Sequence, residues 1–141
     1  MRTPVTSVPR RTRPPWLPAE RVIDAVGAGR WWDAIAVDGP LGYATAARLK
    51  QITDGHTGPI ICDPQGPEPR LYFLVPAGTA DRWAEPDTTP LGQCCYVGVN
   101  GTLDADTVGL HWITPPRCSR PEPLVRPQQL RSALGTARGI S

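Results

Sequence analysis

Residues 34 to 42 read Ala34-Ile35-Ala36-Val37-Asp38-Gly39-Pro40-Leu41-Gly42, and this stretch sets the fold. Asp33 to Val37 is a short run of β type. Asp38-Gly39-Pro40 closes it as helices open, with an acidic N-cap and a proline near the first turn. A helix follows over about Leu41 to Ile52, where Leu41, Ala44, Thr45, Leu49 and Ile52 recur at threes and fours and Gly55 ends the segment. Strand, turn and helix form the opening unit of an α/β layer. The strand ends in a lone carboxylate, Asp38, with Ala36 two residues before it.

Toward the N-terminus, Trp31 and Trp32 lead into the strand. Val22, Ile23 and Val26 are spaced for one face of a first helix that starts at Ala19, with Gly27 and Gly29 placed to stop it. Residues 1–18 hold Pro4, Pro9, Pro14, Pro15 and Pro18 among Arg2, Arg10, Arg11 and Arg13, a composition that reads as a flexible basic tail. Toward the C-terminus, Pro59 to Cys62 and Leu71 to Val75 form an antiparallel hairpin around the proline-rich loop Asp63 to Arg70. Thr79 to Trp83 is one helical turn, and Pro86 and Pro90 bound an irregular crossing. Cys95 to Val99 and Leu110 to Thr114 are two more strands.

The expected fold class is therefore α+β: a mixed, largely antiparallel sheet of about five strands with helices packed mainly on one face. One domain spans 19–115. Residues 116–141 are a proline-rich linker and a short helix, Gln128 to Leu134, with fraying from Gly135.

A chain of 141 residues is long enough for one core. Its longest apolar runs, such as Leu71 to Val75, fall far short of the roughly 20 residues of a membrane span, so no membrane partner is expected. Met1 to Pro18 lacks an apolar stretch of signal-peptide length, which points to the cytoplasm. Cys62, Cys94, Cys95 and Cys118 show no CxxC spacing, and with His56 and His111 they make neither a disulfide framework nor a zinc site. The net charge is only +2, but fourteen arginines stand against the single Lys50. Arginine grips phosphate bidentately, and the same bias follows from GC-rich coding of an actinobacterial type.

Residues 36–42 resemble the first motif of the N-terminal prim-pol domain of bifunctional DNA primase/polymerases. There, two acids one residue apart end a strand and hold divalent metal ions. Polymerase chemistry uses such a pair to neutralise the attacking and leaving oxygens of an in-line displacement. Here the first acid position is Ala36, and only Asp38 stands as a residual metal ligand or helix cap. Arg70-Leu71-Tyr72-Phe73-Leu74-Val75-Pro76 is similar to the second motif, a strand reading His-Leu-Tyr-Phe and then Val-Pro, with Arg70 at the phosphate-contacting histidine. Gly92-Gln93-Cys94-Cys95-Tyr96-Val97-Gly98-Val99 resembles the family's Gly-Gly-Tyr-Val-Val strand, and Leu110-His111-Trp112-Ile113 its later strand. Asp87 is the carboxylate nearest the third acid position. The resemblance spans about Trp31 to Pro115. It implies a primase-polymerase-like fold from which catalytic residues and cofactor are absent, magnesium being at most weakly held.

No nucleophile elbow, dinucleotide loop or P-loop occurs. The implied function is DNA or nucleotide binding by a degenerate prim-pol-like domain, with Arg70, Arg48, Lys50, Arg10, Arg11 and Arg13 meeting phosphates. Two alternatives stand beside it. One is a protein-interaction adaptor with Trp31 and Trp32 as its surface. The other is an enzyme with a site rebuilt from Asp38, Asp63 and Arg70, where Asp63-Pro64-Gln65-Gly66 is also an ordinary turn signature. Of the five tryptophans, most serve the core, and Trp16 in the basic tail is the expected exception.

Overall fold

The alternation in β2 (Asp33–Asp38) divides the molecule into layers. Ile35 and Val37 point to one side and Ala34 and Ala36 to the other, and all four are buried, so the strand has cover on both faces. The computed structural model describes residues 13–104, 109–117 and 123–139. It contains β1 (Ile23–Gly27), β2, α1 (Gly39–Ile52), β3 (Ile60–Asp63), β4 (Arg70–Val75), a 3-10 turn (Thr79–Arg82), β5 (Thr89–Leu91), β6 (Tyr96–Asn100), β7 (His111–Thr114) and α2 (Pro127–Gly139). The fold is α+β.

The main sheet has the order β5-β2-β4-β3-β7, and each of its pairings is antiparallel. Both helices cover one face: Leu49 of α1 and Leu130, Ala133 and Leu134 of α2 pack with Ile35, Val37, Ile60, Leu71, Phe73 and Val75. Across the other face lies a separate two-stranded ribbon, β1 with β6, whose Val97 and Val99 pack with Ala34, Ile61, Leu74 and Trp112.

α1 begins hard against the sheet. A Cβ on Gly42 would stand 2.6 Å from the Val37 carbonyl oxygen, so only glycine permits this approach. Gly39 has φ +59, and its missing Cβ leaves room for the Glu68 carboxylate. These two glycines let the helix start directly off the end of β2.

Five expectations need correction. The helix expected from Ala19 is β1: with period two, Val26 turns inward beside Val97, while Val22 and Ile23 remain 43% and 57% exposed. Glycines at 27 and 29 and β-branched residues suit a ribbon better than a helix. β6 belongs to that ribbon and not to the main sheet, whose fifth strand is β5, three residues around Pro90 in the stretch read as an irregular crossing. Residues 13–18 are not tail: Leu17 and Trp16 are buried, and the Trp16 indole meets Trp32 edge-on at 5.6 Å and Trp112 at 6.2 Å. The terminal helix continues through Gly135 to Gly139, because Arg131 and Arg138 both pair with Glu85. Val125, in the segment read as linker, is fully buried, and its amide donates to the Leu74 carbonyl. Among the described residues no helix is long and apolar enough to cross a membrane.

Candidate functional site

Sheet register decides what meets Asp38. β4 lies between β2 and β3, and Arg70 is the pairing partner of Asp38 on one side and of Asp63 on the other. Asp38, Arg70 and Asp63 therefore form one row across the strand ends. Because alternate residues share a face, Ala36, Tyr72 and Ile61 form the next row inward.

The Arg70 guanidinium takes Asp38 with both prongs, Nε donating to Oδ1 at 2.7 Å and Nη2 to Oδ2 at 3.3 Å. The hydrogen bond that Arg70 donates to Asp38 raises the Arg70 pKa, against a smaller opposing effect of burial. Asp38 occupies the N-cap position of α1, yet its side chain makes no cap hydrogen bond, since Arg70 holds the carboxylate. The helix start instead has the Gly39 amide on the Pro69 carbonyl and the Glu68 carboxylate over Gly39. Asp63 Oδ1 accepts the Gln65 amide at 3.0 Å, the turn role its sequence suggests.

Asp38, Asp63, Gln65, Glu68, Arg70 and Tyr72 line an open cleft of about 500 Å³. It holds three carboxylates against one guanidinium. Tyr72 forms its inner wall, and burial pushes the phenol pKa up while the Arg70 charge pulls it down. On the other side of Asp38, a second cleft of about 530 Å³ is lined by Pro40, Leu41, Asp87, Thr88 and Thr89. Ala36 is only 2% exposed and lies between Tyr72 and Thr89. Among the described residues, no three His, Cys, Asp or Glu side chains converge as a metal-holding group.

The structure thus brings Asp38, Asp63 and Arg70 together and leaves the other named residues apart. Arg48 and Lys50 sit near the far end of α1, ten and twelve residues beyond Asp38, which is about 15 to 18 Å along a helix; Arg48 donates to Gln51. Arg13 is a structural clamp whose guanidinium donates to the Pro18 and Gly101 carbonyls. Arg10 and Arg11 lie outside the described residues. Trp32 is fully buried, so it belongs to the core and not to a contact surface, because an indole this large in a chain with one Phe is needed for packing. Trp31 is 37% exposed and carries the Arg30 guanidinium 4.5 Å above its ring.

Sequence reasoning missed three side chains of the cleft, Gln65, Glu68 and Tyr72, of which Gln65 was read only as part of a turn. Tyr72 was within reach, being two residues from Arg70 in a strand. Glu68 was not, since only the loop's return over Gly39 brings it in. No family model, curated protein or solved structure matches the chain.

Proposed function

We propose that this chain is a prim-pol-like domain that works by binding and does not transfer nucleotides. The observation that carries this reading is the closure of Asp38 by Arg70 beside a buried Ala36. A two-metal mechanism needs adjacent, unengaged acids. Here one acid position is apolar, and the other carboxylate already has a cation within 2.7 Å.

The strand-end cleft also bears on the kind of partner. With Asp38, Asp63 and Glu68 around a single guanidinium that is already paired, its field favours a cationic group over a polyanion. DNA phosphates would have to displace Asp38 from Arg70 and then approach two further carboxylates. The adaptor reading is favoured accordingly, with the contact at this cleft, and the ligand is a lysine- or arginine-bearing segment of a protein.

Fluorescence anisotropy tests it with two probes, a short Lys/Arg-rich peptide and a single-stranded oligonucleotide, across a salt series. The peptide binds, binding weakens as salt rises, and the Asp63→Asn/Glu68→Gln double variant loses it. Oligonucleotide binding that Arg70→Gln weakens would overturn this reading and restore phosphate recognition at Arg70.

A further inference from the structure

α1 spans 14 residues, so its two ends lie about 20 Å apart, and the end remote from Asp38 has the opposite electrical character. There the exit of α1, the approach to β3, the end of β7 and the start of α2 enclose a cavity of about 310 Å³. Its polar lining includes His56, Thr57, Thr114, Arg117, Arg126 and Gln129. No carboxylate lines it among the described residues, although exposed Asp54 is a chain neighbour of Thr53 and Gly55 in its wall. Arg117 and Arg126 have no ion-pair partner among the described residues, whereas Arg70, Arg131 and Arg138 are all paired.

The cavity's walls are held by close backbone packing. Gly58 has φ +91, and a Cβ there would stand 2.5 Å from the Val125 nitrogen and 2.6 Å from the Leu124 carbonyl carbon, so the two chain segments touch main chain to main chain. Thr57 is buried; its hydroxyl donates to the Gly58 carbonyl at 2.8 Å and lies 3.4 Å from the Thr114 hydroxyl, tying the β3 approach to the end of β7. Val125 is anchored in turn on the Leu74 carbonyl. His56 Nδ1 lies 3.3 Å from the Thr53 carbonyl oxygen, which fixes the ring at the rim. Two guanidinium groups with no ion-pair partner among the described residues, a histidine and hydroxyls therefore surround a space whose volume is at the lower end of the range for small-ligand sites, about 300 to 1,000 Å³.

From this cavity we infer a second binding site, specific for a phosphate-bearing ligand. Guanidinium forks match phosphate oxygens two by two, and a lining with no carboxylate among the described residues spares the ligand the repulsion it would meet at the strand-end cleft. Exposed Lys50, in the last turn of α1, adds to the field at this end. The domain is thus electrically polar, with an acidic recognition cleft at one end of α1 and a phosphate site at the other. This inference is independent of what binds at Asp63 and Glu68.

Inorganic pyrophosphate is the probe, titrated at constant ionic strength into the full chain while backbone amide resonances are followed. Saturable shifts are expected at Gly55, Gly58 and Gln129. The Arg117→Gln/Arg126→Gln double variant weakens binding by about tenfold or more, the loss of at least one charge-assisted hydrogen bond, and Arg70→Gln leaves it unchanged. Both variants alter exposed or half-exposed side chains, and an unchanged melting temperature confirms that each is folded. A single-stranded oligonucleotide added as competitor identifies the source: displacement of pyrophosphate assigns the site to a nucleic-acid backbone, and no displacement assigns it to a small phosphate ester. Shifts that do not saturate, or binding that survives the double variant, would overturn the proposal.

Discussion

Arg70 and Asp38 face each other across adjacent strands, and the guanidinium spans both carboxylate oxygens at 2.7 and 3.3 Å. On the proposed prim-pol-like reading, this pair puts a fixed cation at the acid that would otherwise hold metal. The side chains are 38% and 50% exposed, so the pair contributes little to stability, about 0 to 1 kcal/mol. Its consequence is for what else Asp38 can bind.

Arg70→Gln is therefore expected to change the folding free energy by less than about 1 kcal/mol, read by urea denaturation. The same change frees the Asp38 carboxylate of its cation, so weak Mn²⁺ association with that single acid should rise in the variant, detectable by water-proton relaxation. Equal relaxation in both proteins would show that Arg70 does not occupy the cation's place.

Tyr72 supplies a titration test. Burial raises its phenol pKa and Arg70 lowers it, so Arg70→Gln should push the ionisation higher still. Tyr43 is also raised, first by its hydrogen bond with Cys62 and then by burial. Below about pH 10 folded and unfolded chains both keep these protons; above it the unfolded chain releases them first, so stability falls as pH rises toward the folded-state values. Phenolate absorbance in the wild type, Tyr72→Phe and Tyr43→Phe checks the assignment.

Trp16→Ala should cost about 3 to 5 kcal/mol, the range for emptying a buried aromatic site, since the indole is 6% exposed between Trp32 and Trp112. Chemical denaturation measures it. A loss under 1 kcal/mol would return this segment to the tail.

Asp33 is 2% exposed, and its Oδ2 accepts the Gly78 amide at 2.9 Å and the Ala80 amide at 2.8 Å, anchoring the turn after β4. Asp33→Ala strands both donors and should destabilise by about 1 to 3 kcal/mol for each donor that water does not reach. Faster hydrogen exchange at Gly78 and Ala80 would locate the effect.

Much of this architecture is legible in the residues. Alternation in 33–37 and 71–75, the Asp-Gly-Pro helix start and the proline-rich loop after Asp63 are local signals, and they mark β2, β4, α1 and the hairpin. What failed was non-local. Val22, Ile23 and Val26 fit a helical face until a partner strand, β6, supplies the ribbon. β5 is three residues long and contains Pro90, so it has no pattern of its own and exists because β2 offers an edge. Trp16 sits among prolines and reads as tail because its burial depends on Trp32 and Trp112. At the site, Asp38, Asp63 and Arg70 can be named from the chain, but their common row is a property of register. Glu68 and the cavity at Arg117 and Arg126 arise from loop return and helix docking, which no sequence spacing encodes.

The most direct test is template-directed primer extension by the full chain with the four deoxynucleoside triphosphates in Mg²⁺ and in Mn²⁺, beside Asp38→Asn. With Asp38 held by Arg70 and Ala36 in the other acid position, no extended product is expected from either protein. Extension by the wild type that Asp38→Asn abolishes would show that the carboxylate still serves a catalytic metal, and would contradict the binding-only account.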